Sequence, residues 1–176
     1  MKILLLALLL SCSIISAQND RGYIVKVGEE APLFDTENNN TINNLLKKYK
    51  GKVIMLQFTA SWCSVCIKEM PFIEKEIWEK YKNNDDFILL GLAKDTERQP
   101  QEKKEINLMI EKTNVTYPIL SDTNSQIFEL FAAKNAGVTR NVIINQNGEI
   151  AFLTRLFEQK EFNEMINIID ELLNND

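Results

Sequence analysis

Two cysteines, held in Trp62-Cys63-Ser64-Val65-Cys66, are the side chains of this sequence best placed for chemistry. The apolar run Val53-Ile54-Met55-Leu56-Gln57-Phe58 precedes them, and a helical pattern follows to about Tyr81. The pair therefore falls at a strand-to-helix junction. Cys63 at a helix N-terminus would meet unpaired N–H groups and the positive end of the helix dipole, both of which favour an anion. The thiolate is the nucleophile of disulfide exchange, so this position raises its reactive fraction. Cys66, one helical turn on, is near enough to close on Cys63 and expel a mixed-disulfide partner. Other uses of the pair fit less well. A structural zinc site needs about four ligands, and the chain has no histidine to add to these cysteines. A purely structural disulfide gains little from closing so short a loop. A redox-active Cys63–Cys66 disulfide is the expectation, with no metal and no cofactor.

The elements that must hold this pair follow from periodicity. Val53 to Phe58 reads as a buried strand, and Phe87 to Leu92 as a second. Between them Cys66, Met70, Ile73 and Ile77 recur on one helical face. Glu102 to Lys112 is helical with Ile106, Met109 and Ile110 inward. Tyr117 to Leu120 is a short extended piece around Pro118. Ser125 to Ala133 is expected to be a further helix. Val142 to Ile144 and Ile150 to Thr154 flank Asn147-Gly148, a strong hairpin signal. A last helix carries Phe162, Met165, Ile166, Ile169 and Leu173 as its apolar stripe. Strands separated by helices pair in parallel through right-handed crossovers, and the hairpin adds antiparallel edges. The fold class is α/β, a central mixed sheet with helices on both faces.

The 176 residues suit one domain, and 45% hydrophobic with 26% charged residues is an ordinary globular composition. A net charge of −5, with lysines scattered among acids, argues against nucleic acid or an anionic membrane as partner. Residues 1–17 are expected to be a signal peptide, leaving a domain over 18–176. Lys2, the apolar run Ile3 to Leu10 and the small Ala17 before Gln18 have that layout, and the run is too short to span a bilayer. Leu9-Leu10-Ser11-Cys12 offers an alternative, lipidation at Cys12 to give a membrane-anchored lipoprotein. The leucine before Ser11 and the short leader favour cleavage after Ala17. Either route takes the protein out of the cytoplasm, and a periplasmic location is expected. Glu37-Asn38-Asn39-Asn40 is expected to be a polar turn.

Gln57-Phe58-Thr59-Ala60-Ser61-Trp62-Cys63-Ser64-Val65-Cys66-Ile67-Lys68-Glu69-Met70-Pro71 resembles the active-site segment of TlpA/ResA-like thioredoxins, a branch of the redoxin superfamily. Val27 to Phe34, Gly51-Lys52-Val53 and Asn145 to Ile150 fit the same pattern, so the resemblance covers about Tyr23 to Leu173. It implies a thioredoxin-like fold and a thiol–disulfide oxidoreductase. Cys63 then corresponds to the attacking cysteine and Cys66 to the resolving one. Glu69 matches an acid lining the site, and as the third residue after Cys66 it can approach that sulfur. A pKa raised by burial would let it move a proton for Cys66 during resolution; the plain alternative is a solvated surface glutamate. Trp62 is expected to pack beside the sulfurs and to form part of the partner-docking surface.

The sequence departs from the pattern in three places. Gln57 stands where thioredoxin has a buried aspartate. Ser64-Val65 lacks the usual proline. Thr139, in Val138-Thr139-Arg140-Asn141, takes the slot of a proline that faces the disulfide through a cis bond. A cis bond before a non-proline residue costs about 2.5–4 kcal/mol, so a trans bond, or a strained cis one held by the fold, is expected. Thr139 and Arg140 are nevertheless candidates for substrate docking. Arg140 would add positive potential near Cys63, the plain alternative being a surface arginine. A peroxiredoxin-like peroxidase is the alternative enzyme, but Ala60 and Leu56 stand where that chemistry has threonine and proline. A non-catalytic binding module, for instance one holding Cu(I) between two thiols, is the other alternative. The missing histidine argues against a strong oxidant. A reductase of disulfides in exported proteins, recharged by a membrane thiol donor, is the expectation.

Overall fold

The computed structural model describes residues 21–34 and 48–174. The expected leader, Cys12 and the Glu37 to Asn40 turn lie outside them. Strand β1, Val53–Thr59, is buried along its whole length. Helix α1 runs over Ser64–Ile73, passes through a π-helical stretch at Glu74–Trp78 and ends at Glu79–Tyr81. Its inward face is the one periodicity marks: Cys66, Met70, Ile73 and Ile77 are all fully buried. Strand β2 is Phe87–Lys94, helix α2 Lys103–Thr113 and strand β3 Ile119–Asp122. Helix α3, Phe128–Phe131, precedes the hairpin of β4, Arg140–Ile144, and β5, Ile150–Arg155. Helix α4, Gln159–Asn174, closes the chain.

The sheet order is β3-β2-β1-β4-β5. β1, β2 and β3 are parallel neighbours, while β4 pairs antiparallel with β1 and β5 with β4. Strand alternation divides the core into two layers. Met55, Leu89 and Ile143 face α1, α2 and α4, packing with Met70, Met109 and Met165. Leu56, Leu92 and Val142 face α3 and the N-terminal segment, packing with Phe128, Phe131 and Tyr23. The mixed sheet with helices on both faces is the expected architecture. The N-terminal motif and the hairpin motif meet: Gly28 N–H donates to Ile150 O at 2.8 Å and Ala31 N–H to Gly148 O at 2.9 Å. Gly148 turns the hairpin at φ +88°, a conformation that costs glycine little.

Two elements differ from expectation. The helix expected over Ser125 to Ala133 shortens to α3, preceded by a 3-10 turn at Thr123–Ser125. The cause is Asp122, whose two carboxylate oxygens accept the N–H groups of Ile127 and Phe128, each at 2.8 Å, and so fix where the helix starts. The strand begins at Ile119, two residues later than expected, and Tyr117 ahead of it is buried with its hydroxyl donating to Gln57 Oε1.

Gly91 on β2 pairs with Gln57 on one side and Ile119 on the other. A Cβ at this position would lie 2.9 Å from Ile119 Cγ1 and 3.3 Å from the Pro118 carbonyl oxygen. Gly91→Ala is expected to destabilise the protein by about 1–3 kcal/mol, the usual cost of overpacking. Urea unfolding of the variant beside the parent checks this, and equal midpoints would show that the β2–β3 contact yields freely.

Candidate active site

The cysteines sit where β1 hands over to α1. Cys63 is the N-cap of α1, with extended backbone (φ −88°, ψ 104°), and its Sγ accepts the Cys66 N–H at 3.2 Å. This is the N-cap contact usually made by a serine or aspartate oxygen, here made by sulfur. The two cysteines are joined as a disulfide, with Cα atoms 5.3 Å apart. Cys63 is 8% exposed and Cys66 fully buried, so an incoming partner meets Cys63 first. Trp62, immediately before it, is 44% exposed. The turn itself is held from outside, since Ser61 N–H donates to the buried Gln101 Oε1 at 2.8 Å.

Thr139 faces the disulfide from the start of β4. Its Oγ1 lies 3.2 Å from each sulfur. The bond before it is trans, as are all peptide bonds among the described residues. Its carbonyl accepts the N–H of Leu156, which turns back in a left-handed conformation (φ 64°) just past β5.

Glu69 is not a solvated glutamate. It is 1% exposed and lies over the polar stripe of the sheet, where Gln57 pairs with Asn141 and Asn141 with Thr154. Its Oε1 accepts from Asn141 Nδ2 at 2.8 Å. Gln57 Oε1 is occupied by the Tyr117 hydroxyl at 2.6 Å. Burial pushes the Glu69 carboxyl up to about 7, against the smaller opposing effects of the Asn141 and Gln57 amides, which favour the charged form. The Gln57 amide acts from nearby only, for neither its Nε2 nor Glu69 Oε2 makes a hydrogen bond of ordinary geometry.

Arg140 departs from the sequence expectation. It is 1% exposed, and β-strand alternation turns it away from the face that Thr139 and Asn141 share. Its Nε donates to Gly137 O at 2.9 Å and its Nη2 to Arg21 O at 2.7 Å, and the guanidinium lies 4.4 Å from the centre of the Tyr23 ring. It ties the N-terminal segment to the sheet and presents nothing to a docking partner. Asn141, Tyr117 and Gln101 also belong to the site, none of them a candidate on sequence grounds. The one available signal was a polar residue beside or within an apolar strand, as at Gln57 and Asn141; Gln101 left none.

A Cys-x-x-Cys pair capping the first helix of this mixed sheet defines a thioredoxin-fold thiol–disulfide oxidoreductase. The redoxin family model matches residues 26–172, and the chain belongs to the redoxin family. A candidate protein disulfide isomerase from Bacteroides thetaiotaomicron, solved in solution, is 45% identical. It aligns over 86% of this chain and 92% of its own, with a TM-score of 0.77. Thiol-disulfide oxidoreductase ResA of Oceanobacillus iheyensis is 28% identical over 142 residues, 78% of this chain and 69% of that protein. A candidate thiol:disulfide interchange protein DsbE from Chlorobium tepidum shares the fold at 19% identity and a TM-score of 0.68, over 85% of this chain and 99% of its own.

The burial of Glu69 has a consequence for stability. Between its ordinary value of 4.5 and about 7 the folded chain keeps a proton that the unfolded chain has lost. The group's contribution to stability therefore falls as pH rises through that window and stays low above it. Glu69→Gln is expected to gain on the parent between pH 5 and pH 8, by up to about 3 kcal/mol. Urea unfolding at several pH values checks it; a difference that stays constant with pH would mean that the carboxyl titrates at its ordinary value.

Proposed function

We propose that the protein is an exported reductase of protein disulfides. In the reduced state the Cys63 thiolate attacks a substrate disulfide, forms a mixed disulfide and releases one substrate thiolate. Cys66 then gives its proton to the Glu69 carboxylate and attacks Cys63 Sγ. The Cys63–Cys66 disulfide closes, the second substrate thiolate leaves, and the two electrons have passed to the substrate. Trp62, exposed beside Cys63, and Thr139, against both sulfurs, are the docking residues.

The observation that carries the reducing direction is the neutrality of the donors at Cys63. They are a backbone N–H and a threonine hydroxyl, and the sequence has no histidine to place between the cysteines. A strong oxidant stabilises its reduced form, as DsbA does at about −120 mV, and these donors stabilise a thiolate less than a cation would. The 45% identical Bacteroides protein, described as a candidate disulfide isomerase, favours isomerisation as a second reading. Both share the first chemical step and differ in potential. The pair is expected to equilibrate with dithiothreitol buffers below about −220 mV, Trp62 fluorescence reporting the redox state. A value near about −180 mV would select the isomerase, and one near about −120 mV an oxidase.

Export rests on the leader-like residues 1–17, with 18–176 as the mature domain. The partners are then disulfide-containing exported proteins and a membrane thiol donor, with the periplasm as the compartment. N-terminal sequencing of the protein recovered from the cell envelope is expected to begin at Gln18. A blocked N-terminus, with the mass of a lipidated chain starting at Cys12, would replace the soluble form by an anchored one.

A further inference from the structure

Gln57, Glu69 and Asn141 are each 1% exposed or less, and each keeps one polar atom without a hydrogen-bond partner: Gln57 Nε2, Glu69 Oε2 and Asn141 Oδ1. Leaving a buried amide oxygen unpaired costs about 1–3 kcal/mol, and an apolar residue on β4 would avoid it. What Asn141 provides instead is a directed donor. Its Nδ2 reaches Glu69 Oε1 at 2.8 Å and Thr154 Oγ1 at 2.9 Å. The Asn141 backbone N–H donates to the same threonine oxygen at 3.2 Å, so Thr154 braces both ends of the residue. From below, the Tyr23 hydroxyl bonds the carbonyls of Asn141 at 3.1 Å and Thr154 at 2.5 Å, locking β4 to β5 at this rung.

We propose that Asn141 is a positioning residue for disulfide exchange: braced by Thr154, its amide holds the Glu69 carboxylate charged and fixed one helical turn from Cys66, and so sets the pH range in which Glu69 accepts the Cys66 proton. This rests on the assignment of Glu69 as that acceptor. The groups facing Glu69 are Gln57 from β1, Tyr117 ahead of β3, Asn141 from β4 and, at longer range, Glu161 from α4. The Tyr117 hydroxyl is spent on Gln57, and burial raises its own pKa well above the usual range. Glu161 is bound by Arg21. The charged form of Glu69 thus depends on amide donors and not on a cation, and Asn141 supplies the one bond of good geometry.

The test follows resolution of the mixed disulfide formed between the reduced protein and oxidised glutathione, from pH 5 to pH 9. The same proteins, labelled with 13C at the glutamate carboxyls, are titrated by NMR to read Glu69 directly. In the parent the rate is expected to rise with the ionisation of Glu69, and in Glu69→Gln this dependence disappears. Asn141→Leu removes the donor, and the midpoint is expected to move up by about one pH unit, with resolution about tenfold slower on the acid side. Thr154→Val, which keeps the side-chain shape, is expected to move it the same way by less, and it decides the matter if Asn141→Leu fails to fold. A profile that Glu69→Gln abolishes, but whose midpoint neither the Asn141 nor the Thr154 variant moves, overturns the role of Asn141 and leaves that of Glu69. A profile that Glu69→Gln does not change removes both.

Discussion

A carboxyl group held out of water between α1 and the sheet is the constraint around which this site is arranged. Glu69 leaves solvent on the same helix that carries the cysteines, so whatever holds its carboxyl also holds Cys66 against β1 and β4. Taking such a group from water is costly unless it is neutralised or hydrogen-bonded. The fold does some of both. One strong amide donor reaches it, and burial raises its affinity for a proton to about neutral pH. An acid balanced there can take and return a proton at little cost in driving force, which is what alternation between dithiol and disulfide demands.

The sheet serves this arrangement through its register. Gly91, Gln57, Asn141 and Thr154 stand side by side on four adjacent strands, all on the face covered by α1. The first has no side chain, and the other three form the polar floor beneath Glu69. The neighbouring rung of this face on the side away from the cysteines, Met55, Leu89 and Ile143, is apolar, while toward the disulfide the polar character continues in Thr59 and Thr139. The opposite face is tied down separately, by Tyr23 and Arg140. The same strand thus presents Asn141 to the chemistry and Arg140 to the scaffold, a division that follows from the two-residue period of a strand.

Much of this was legible in the sequence. The cysteine spacing located the helix N-terminus, the spacing of Met70, Ile73 and Ile77 gave the buried face of α1, and Asn147-Gly148 gave the hairpin. Each of these signals is local, carried by residues within a turn or two of one another. The burial of Glu69 was an expectation, but its Asn141 donor, the tie of Arg140 to Arg21 and the grip of Gln101 on Ser61 were not legible, because each joins residues 40 or more apart. Arg140 is buried against the sequence expectation for a related reason. An arginine has five donors and a strong preference for solvent, and only the carbonyls of Gly137 and Arg21, with the Tyr23 ring, make its burial tolerable.

The distance in sequence between Cys63 and the residues that finish its surroundings bears on how the chain comes to function. Thr139 lies 76 residues after Cys63, and Asn141 lies 72 after Glu69. β4 joins the sheet beside β1, with β2 and β3 made in between. Pairings of such long range carry a loop-closure cost that makes them slow to form. A chain still being synthesised therefore holds both cysteines, and Glu69, before the strand that encloses them exists. Until β4 pairs with β1, Thr139 and Asn141 are not in place, and the surroundings that set Cys63 and Cys66 apart from ordinary thiols are incomplete.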